Sequence, residues 1–498
     1  MSYVIGVDLG TSAVKLLLVN KQKEIVHQVS KSYPLIHPKT GYSEQNPEEW
    51  VNQTILGLEE MFQHQDINPK EVEGISFSGQ MHGLVLLDEN HEVLRNAILW
   101  NDTRTTAQCN DIHETVGIDK LLRITKNVAL EGFTLPKILW VKENEPELFK
   151  QAKTFLLPKD YLRFRLTNHL AMDYSDAAGT LLLHIEDKEW SKEICDIVGI
   201  DLTICPPLVE SIDCVGNLSE AIANRLDFRE DVKVFAGGAD NACGAIGAGI
   251  VEEGRTLCSI GTSGVILTFE KEVNKNFDGK VHYFNHSVPD SFYTMGVTLS
   301  SGYSLNWFKN TFANALSFDK LLKDIDTVPV GSNGLIFTPY LLGERTPHSD
   351  ATIRSSFIGI DSTHQRKHFL RSVLEGITFS LNESIHIFRE KEKDIDTIVS
   401  IGGGAKNEHW LQMQADVFNA NIVQLQNEQG PGMGAAMIAA AGSDWYPSLK
   451  EAVKDIVRKE KTYYPIKENV QKYAELFSIY QEVYKQTVSI NEKLSPFR

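Results

Sequence analysis

At 498 residues the chain is too long for one hydrophobic core, so two or more domains are expected. Hydrophobic residues at 42% and charged residues at 23% fit a globular chain in water, and a formal charge of −17 argues against nucleic-acid or acidic-membrane partners, which favour basic surfaces. The six cysteines show no CxxC pair and no Cys/His zinc spacing, the first residues lack a basic signal segment, and no apolar run nears the roughly 18 residues of a membrane span, so a reduced cytoplasmic setting is expected.

Tyr3 to Asp8 and Val14 to Val19 are rich in Val, Ile and Leu and read as strands around the turn Gly10-Thr11-Ser12; Ile25 to Ser30 extends the meander. Pro47-Glu-Glu-Trp50 opens an amphipathic helix, its proline and two acids suited to a first turn. Glu73 to Gln80 reads as a strand running into a loop, and Leu84 to Leu87 as its return. Asp231 to Ala236 is then a strand, Gly237 to Asn241 a loop, and Ala242 to Gly249 a helix of very small residues. The polar, turn-like Glu252-Glu-Gly-Arg255 marks the boundary between domains 1–251 and 252–498.

The second half repeats the pattern. Two apolar runs flank Gly261-Thr262-Ser263, about half the chain after the first Gly-Thr-Ser. Arg389 to Asp394 reads as a solvated charge run. Thr397 to Ile401 is an apolar strand before Gly402-Gly403-Gly404 and a helix start. Asn421 to Gln426 is a strand, Asn427 to Gly432 a loop, and Met433 to Ala441 a second helix of small residues. Two devices recurring in the same order indicate an internal duplication, and the mixture of antiparallel and crossover connections indicates an α/β fold.

A lone Gly-Thr-Ser between strands is commonly only a hairpin turn. A pair, one per domain, offers backbone N–H groups and hydroxyls to phosphate oxygens from two sides of a cleft. The copies differ at one place: Asp8 precedes Gly10 by two residues where Ser259 precedes Gly261. A carboxylate beside a phosphate clamp is repelled unless a cation lies between, and Mg2+ takes one or two carboxylates plus phosphate and water, so Asp8 is assigned to that metal; the alternative is a turn aspartate serving local N–H groups. Asp240, between a strand and a helix, either caps the helix or serves as a carboxylate at the cleft floor that takes a proton from an attacking hydroxyl. The triple-glycine loop leaves room for a flat base or ribose, with Asn407 as an amide beside it. No P-loop, GxSxG elbow or HExxH is present, and Gly430-Pro-Gly-Met-Gly-Ala435 is separated from its strand by a loop containing Pro431 and lacks the acidic partner of a dinucleotide site.

These stretches, with Phe337-Thr-Pro-Tyr-Leu-Leu-Gly-Glu-Arg-Thr-Pro347, resemble the FGGY carbohydrate kinases over nearly the whole chain. The resemblance implies two ribonuclease-H-like (actin-like) domains around a central cleft, ATP as donor, Mg2+, and in many relatives a homodimer. Within the family, Ser78-Gly-Gln-Met-His-Gly83 and Leu99-Trp-Asn-Asp-Thr-Arg104 look most like the xylulokinase branch. Carried over, Met81, His82 and Asn241 contact a sugar, Asp240 is the base, and Gly403, Gly404, Asn407 and Trp307 contact nucleotide; the aromatic plane of Trp100 and the carboxylate of Asp102 suit further sugar contacts, a core position being the alternative for Trp100. Ala239 departs from the glycine usual before the base. A gluconate, ribulose or deoxy-sugar kinase is the alternative within the family, and a sugar-independent ATPase the alternative outside it.

Overall fold

A computed structural model describes residues 2–63, 67–273, 275–426 and 428–498. Asn427 of the expected loop lies outside them. The first domain carries a sheet built on β1 (Tyr3–Leu9), β2 (Ala13–Asn20), β3 (Ile25–Ser32), β4 (Val72–Gly79), β5 (Cys214–Asn217) and β6 (Lys233–Phe235), in the spatial order β5-β6-β4-β1-β2-β3. The second carries β7 (Arg255–Ile260), β8 (Gly264–Glu270), β9 (His282–Asn285), β10 (Phe292–Thr298), β11 (Thr397–Gly402), β12 (Asn421–Leu425) and β13 (Lys459–Tyr463), in the order β9-β10-β8-β7-β11-β12-β13.

The duplication expected from the turns extends to the strand pairing. In the first sheet β1 runs antiparallel to β2 and parallel to β4, β2 is antiparallel to β3, and β4 is parallel to β6. In the second, β7 is antiparallel to β8 and parallel to β11, β8 is antiparallel to β10, and β11 is parallel to β12. The expected first helix is Pro47–Gln63, with Glu48 and Glu49 in its first turn beside the positive end of the helix dipole. The central strands β1 and β4 are buried on both faces; β1 accordingly reads as a nearly continuous apolar run, and β4 fills one face with the small side chains of Ser76 and Ser78.

The small-residue helices begin earlier than expected. The first, α1, is Asp240–Gly247, and the second, α2, is Gly430–Gly442. They pack on each other so closely that backbones touch. A Cβ on Gly434 would lie 1.9 Å from the Cys243 carbonyl oxygen, and one on Gly247 would lie 2.5 Å from that of Gly430. The other side of α2 rests on the first domain's sheet, where a Cβ on Gly6 would meet the Gly432 carbonyl oxygen at 2.1 Å. Side chains are absent at these places because two main chains occupy the space.

The charge run Arg389 to Asp394 is not wholly solvated. Lys393 is drawn inward, its ammonium 2.6 Å from the Glu270 carboxylate and 2.6 Å from the Phe269 carbonyl. Among the described residues no helix is long and apolar enough to cross a membrane.

Replacing a glycine by alanine tests the helix contact. Gly434→Ala should lower stability by about 1–3 kcal/mol, because the new methyl meets an immovable carbonyl. Gly244→Ala, whose Cβ would have Pro431 Cγ at 3.7 Å as its nearest neighbour, should be neutral or slightly stabilising in thermal melts.

Candidate active site

The register of the first sheet sets the acidic end of the cleft. Asp8, near the end of β1, stands opposite Lys15 on β2 and Ser78 on β4. Burial pushes its pKa up to about 6, with Lys15 pulling the other way. Lys15 in turn donates to Gln429 Oε1 at 2.7 Å, across to the second domain. In the second sheet the matching residue, Ser259, faces Val265 and Ile401, so that turn carries no such ion pair.

Asp240 begins α1. Its Oδ1 accepts from the Asn241 N–H at 2.7 Å and from Asn241 Nδ2 at 2.9 Å. Burial pushes its pKa up to about 7, and the charge of Asp8 adds to the rise. The Asp8 carboxylate, with the Thr11 and Ser12 hydroxyls on the adjoining turn and a second carboxylate at Asp240 adding negative charge, fits a Mg2+ ion shared with phosphate oxygens.

A cavity of about 230 Å³ opens in front of Asp240 and Asn241, with Met81, His82 and Trp100 in its wall. His82 sits in a tight turn closed by the Gly83 N–H on the Met81 carbonyl at 2.8 Å, with φ of +68°. A non-glycine residue in that left-handed region is strained and persists only where its surroundings hold it. Here Lys137 does so. It is fully buried and donates to the carbonyls of His82 and Phe133, each at 3.1 Å, and to that of Gly132. The His82 ring places Nδ1 2.7 Å from the Gly179 carbonyl, so Nδ1 carries the proton and Nε2 is an acceptor. Burial, then the charge of Lys137, lowers its pKa to about 3, which keeps the imidazole neutral. Met81 is fixed by Asn241 Nδ2 at 3.7 Å and the Tyr293 hydroxyl at 3.8 Å on its sulfur.

A second cavity, of about 460 Å³, lies in the other domain against Gly403, Gly404 and Asn407. Gly402 has φ of +81°, and a Cβ there would lie 2.5 Å from the Ile260 carbonyl oxygen, so the loop lies flat on the end of β7. Asn407 Oδ1 caps the following helix on the Trp410 N–H at 3.0 Å, which leaves its amide nitrogen for a ligand. The turn Gly261-Thr262-Ser263 stands between the cavities: Gly261 and Thr262 line the larger, Ser263 the smaller. The first turn lines neither of these two; Thr11 reaches the smaller one through Trp100, whose indole N–H donates to Thr11 Oγ1 at 2.9 Å. Gly10 and Ser12 belong to the same turn, held by Tyr33 through its hydroxyl on the Gly10 carbonyl and its N–H on the Ser12 carbonyl.

Two expected contacts fall elsewhere. Asp102 is buried away from the cavity, its oxygens taken by Arg104 (Nε at 2.9 Å, Nη2 at 2.7 Å) and the Ser43 N–H at 2.6 Å. Trp307 turns from the nucleotide-sized cavity and stacks on Phe337 with ring centroids 6.3 Å apart, while its neighbour Asn306 lines the cavity.

The residues behind Asp240 carry no sequence signal. Ser175 Oγ accepts the Ala239 N–H at 2.9 Å and donates to Asp173 Oδ2, which also receives Ser211 Oγ at 2.8 Å. Asp173 is 3.0 Å from Lys159 Nζ, in a group with Asp160, Arg163 and Asp176 that is wholly buried. Arg163 Nη1 bonds the Ala236 carbonyl at 2.9 Å, so the group grips both ends of the loop that delivers Asp240. These three carboxylates also lie close enough together to surround an ion, yet Lys159 already sits among them at 2.6 to 3.3 Å.

Comparison with known proteins supplies the family. Residues 3–247 match the FGGY carbohydrate kinase N-terminal domain, and residues 256–443 match the C-terminal domain. The chain is 61% identical to a xylulose kinase of Bacillus subtilis over the full length of both. Its structure is similar to a ligand-bound xylulose kinase from Lactobacillus acidophilus, with a TM-score of 0.94 and 28% identity, covering 99% of this chain and 100% of that one. It is similar to a gluconate kinase of the same organism at a TM-score of 0.93 and 28% identity, covering 99% of each chain. The two matched domains, the duplicated sheets and the cavities on either side of Gly261-Thr262-Ser263 place this chain in the FGGY family of carbohydrate kinases.

Proposed function

We propose that the chain transfers the γ-phosphoryl group of ATP to the terminal O5 hydroxyl of D-xylulose. The observation that carries the reading is the second Gly-Thr-Ser turn, which serves a nucleotide-sized cavity with one face and a sugar-sized cavity holding Asp240 with the other. The 61% identical xylulose kinase supports the choice of sugar.

In this reading the sugar lies against Met81, His82 and Asn241, with O5 toward the Asp240 carboxylate. The nucleotide lies along Gly403, Gly404 and Asn407, its phosphates against Thr262 and Ser263. Closure of the domains on each other brings Thr11 and Ser12 to the other side of the transferred group. Asp240 orients O5 and takes its proton as the O–P bond forms; phosphoryl transfer has a loose transition state, so positioning and charge stabilisation supply most of the rate. Asp8 would hold Mg2+, which when bound neutralises phosphate charge. Closing the cleft around a dry cavity keeps water from replacing the sugar hydroxyl.

An aldonate is the second reading, favoured by the gluconate kinase likeness and by Arg345, a cation in the wall of the sugar cavity. A coupled ATP assay over ketoses, polyols and aldonates separates the two: the highest kcat/KM on D-xylulose supports the proposal, and the highest on an aldonate overturns it. Turnover of ATP that ignores every sugar would instead mark an ATPase.

Asp240→Asn should lower kcat by roughly 10²–10⁴ while nucleotide binding is kept. For the native enzyme, kcat/KM should rise with pH through about 7 as Asp240 ionises. Stability should move oppositely. A carboxylate whose pKa is raised on folding binds its proton more tightly in the native state, so its ionisation costs stability as pH rises from about 4 toward 7. Asp240→Asn should therefore melt above the native protein at pH 8, with the gap closing toward pH 4, as calorimetry at the two pH values would show. Ser175→Ala leaves the Ala239 N–H without its partner and should cut kcat about tenfold with little change in either KM, since it loosens the base and not the ligands.

A further inference from the structure

Arg345 is a charged group that the reaction described above leaves unused. It lies in the Glu344-Arg-Thr-Pro347 turn of the second domain and lines the sugar cavity opposite residues of the first. The main chain on either side is fixed. Glu344 Oε1 accepts the Arg345 N–H at 2.8 Å and the Leu299 N–H at 3.0 Å, and Glu344 Oε2 accepts Ser380 Oγ at 3.0 Å. Thr346 donates its N–H to the Val297 carbonyl at 2.9 Å, and its hydroxyl accepts the Val297 N–H at 3.0 Å.

The guanidinium itself makes no hydrogen bond or ion pair with the described residues. Glu131, an opposing charge that it feels, is bonded instead by Thr106 Oγ1 at 2.9 Å. A half-buried cation with five N–H donors and no acceptor is costly to keep unless a ligand completes it. Its place along the cavity is visible in its neighbours. The His82 and His282 imidazoles, both packed on Phe133 in the same cavity wall, feel its charge.

We propose that Arg345 is a specificity residue that donates hydrogen bonds to the carbonyl end of an open-chain ketose whose far hydroxyl lies at Asp240. This rests on the ketose reading of the function. A ketone oxygen only accepts, and a guanidinium only donates, so the two are complementary. His82 Nε2 and Asp240, both acceptors, suit hydroxyl groups instead.

The test is steady-state kinetics of Arg345→Gln and Arg345→Lys on D-xylulose and on D-arabinitol, the polyol with the ketone reduced, with KM for ATP measured alongside. Arg345→Gln should raise the D-xylulose KM about 10- to 100-fold, as for loss of a hydrogen bond to a charged group, with KM for ATP unchanged and a several-fold smaller effect on the polyol. Arg345→Lys, which keeps the charge without the planar fork, should fall between. Without sugar, Arg345→Gln should melt no lower than the native protein, and its melting rise on adding D-xylulose should shrink. Equal losses on ketose and polyol, or a fall in kcat at constant KM, would overturn the proposal; the latter points to the transferred phosphate. If Arg345→Gln does not fold, the ketose-to-polyol ratio of Arg345→Lys decides alone, an unchanged ratio overturning the proposal. Failure of the ketose reading itself would show first in the native enzyme, as a preference for another class of sugar.

Discussion

The backbone-to-backbone contact of the two small-residue helices is the constraint on which the cleft depends. Helix α1 opens with Asp240, and α2 wedges between α1 and the first domain's sheet. Because Gly434 meets the Cys243 carbonyl and Gly6 meets Gly432 with no side chain between, the relation of the two domains at this point is set by main-chain contact. Close-packed interfaces of this kind resist continuous deformation. Asp240 is thus carried on the element that joins the two halves, and any movement that brings the two Gly-Thr-Ser turns together also moves against its own helix.

Electrostatics at the floor of the cleft follow from the asymmetry of the duplication. Both domains supply a strand, a Gly-Thr-Ser turn and a return strand, yet only the first places a carboxylate before its turn, with Lys15 across the sheet as partial compensation. Burial raises both Asp8 and Asp240, and each charge makes the other costlier. A site left short of positive charge in this way is suited to a ligand that arrives with its cation. The buried group of Lys159, Arg163 and three aspartates holds the loop behind Asp240, so the strain of two neighbouring acids is borne by a fixed scaffold.

Several features of the site were legible in the residues before any coordinates. The Gly-Thr-Ser turns, the strand before Asp240 and the glycine loop before Asn407 are local patterns, where spacing and side-chain size dictate the backbone. Two of the expected contacts stand outside the two cavities for non-local reasons. Trp307 and Asp102 carry chemistry that suits a ligand, but Phe337 offered the indole a flat apolar face, and Arg104 with Ser43 consumed the carboxylate. The charge run at 389–394 looked like plain surface until Glu270, far away in the chain, captured Lys393.

The sequence by itself determined that the chain is built of two like halves, each ending in a small-residue helix, and that one half alone has an acid before its turn. These are consequences of periodicity, residue size and order along the chain. Only the tertiary structure decided that Ser175 and Lys137 hold the Asp240 loop and His82 in place, that Ser263 and Thr262 face different cavities, and that the Arg345 guanidinium lines the smaller one with no partner among the described residues. Burial and hydrogen bonding between residues dozens of positions apart depend on how the sheets twist and the helices pack, and no local pattern encodes them.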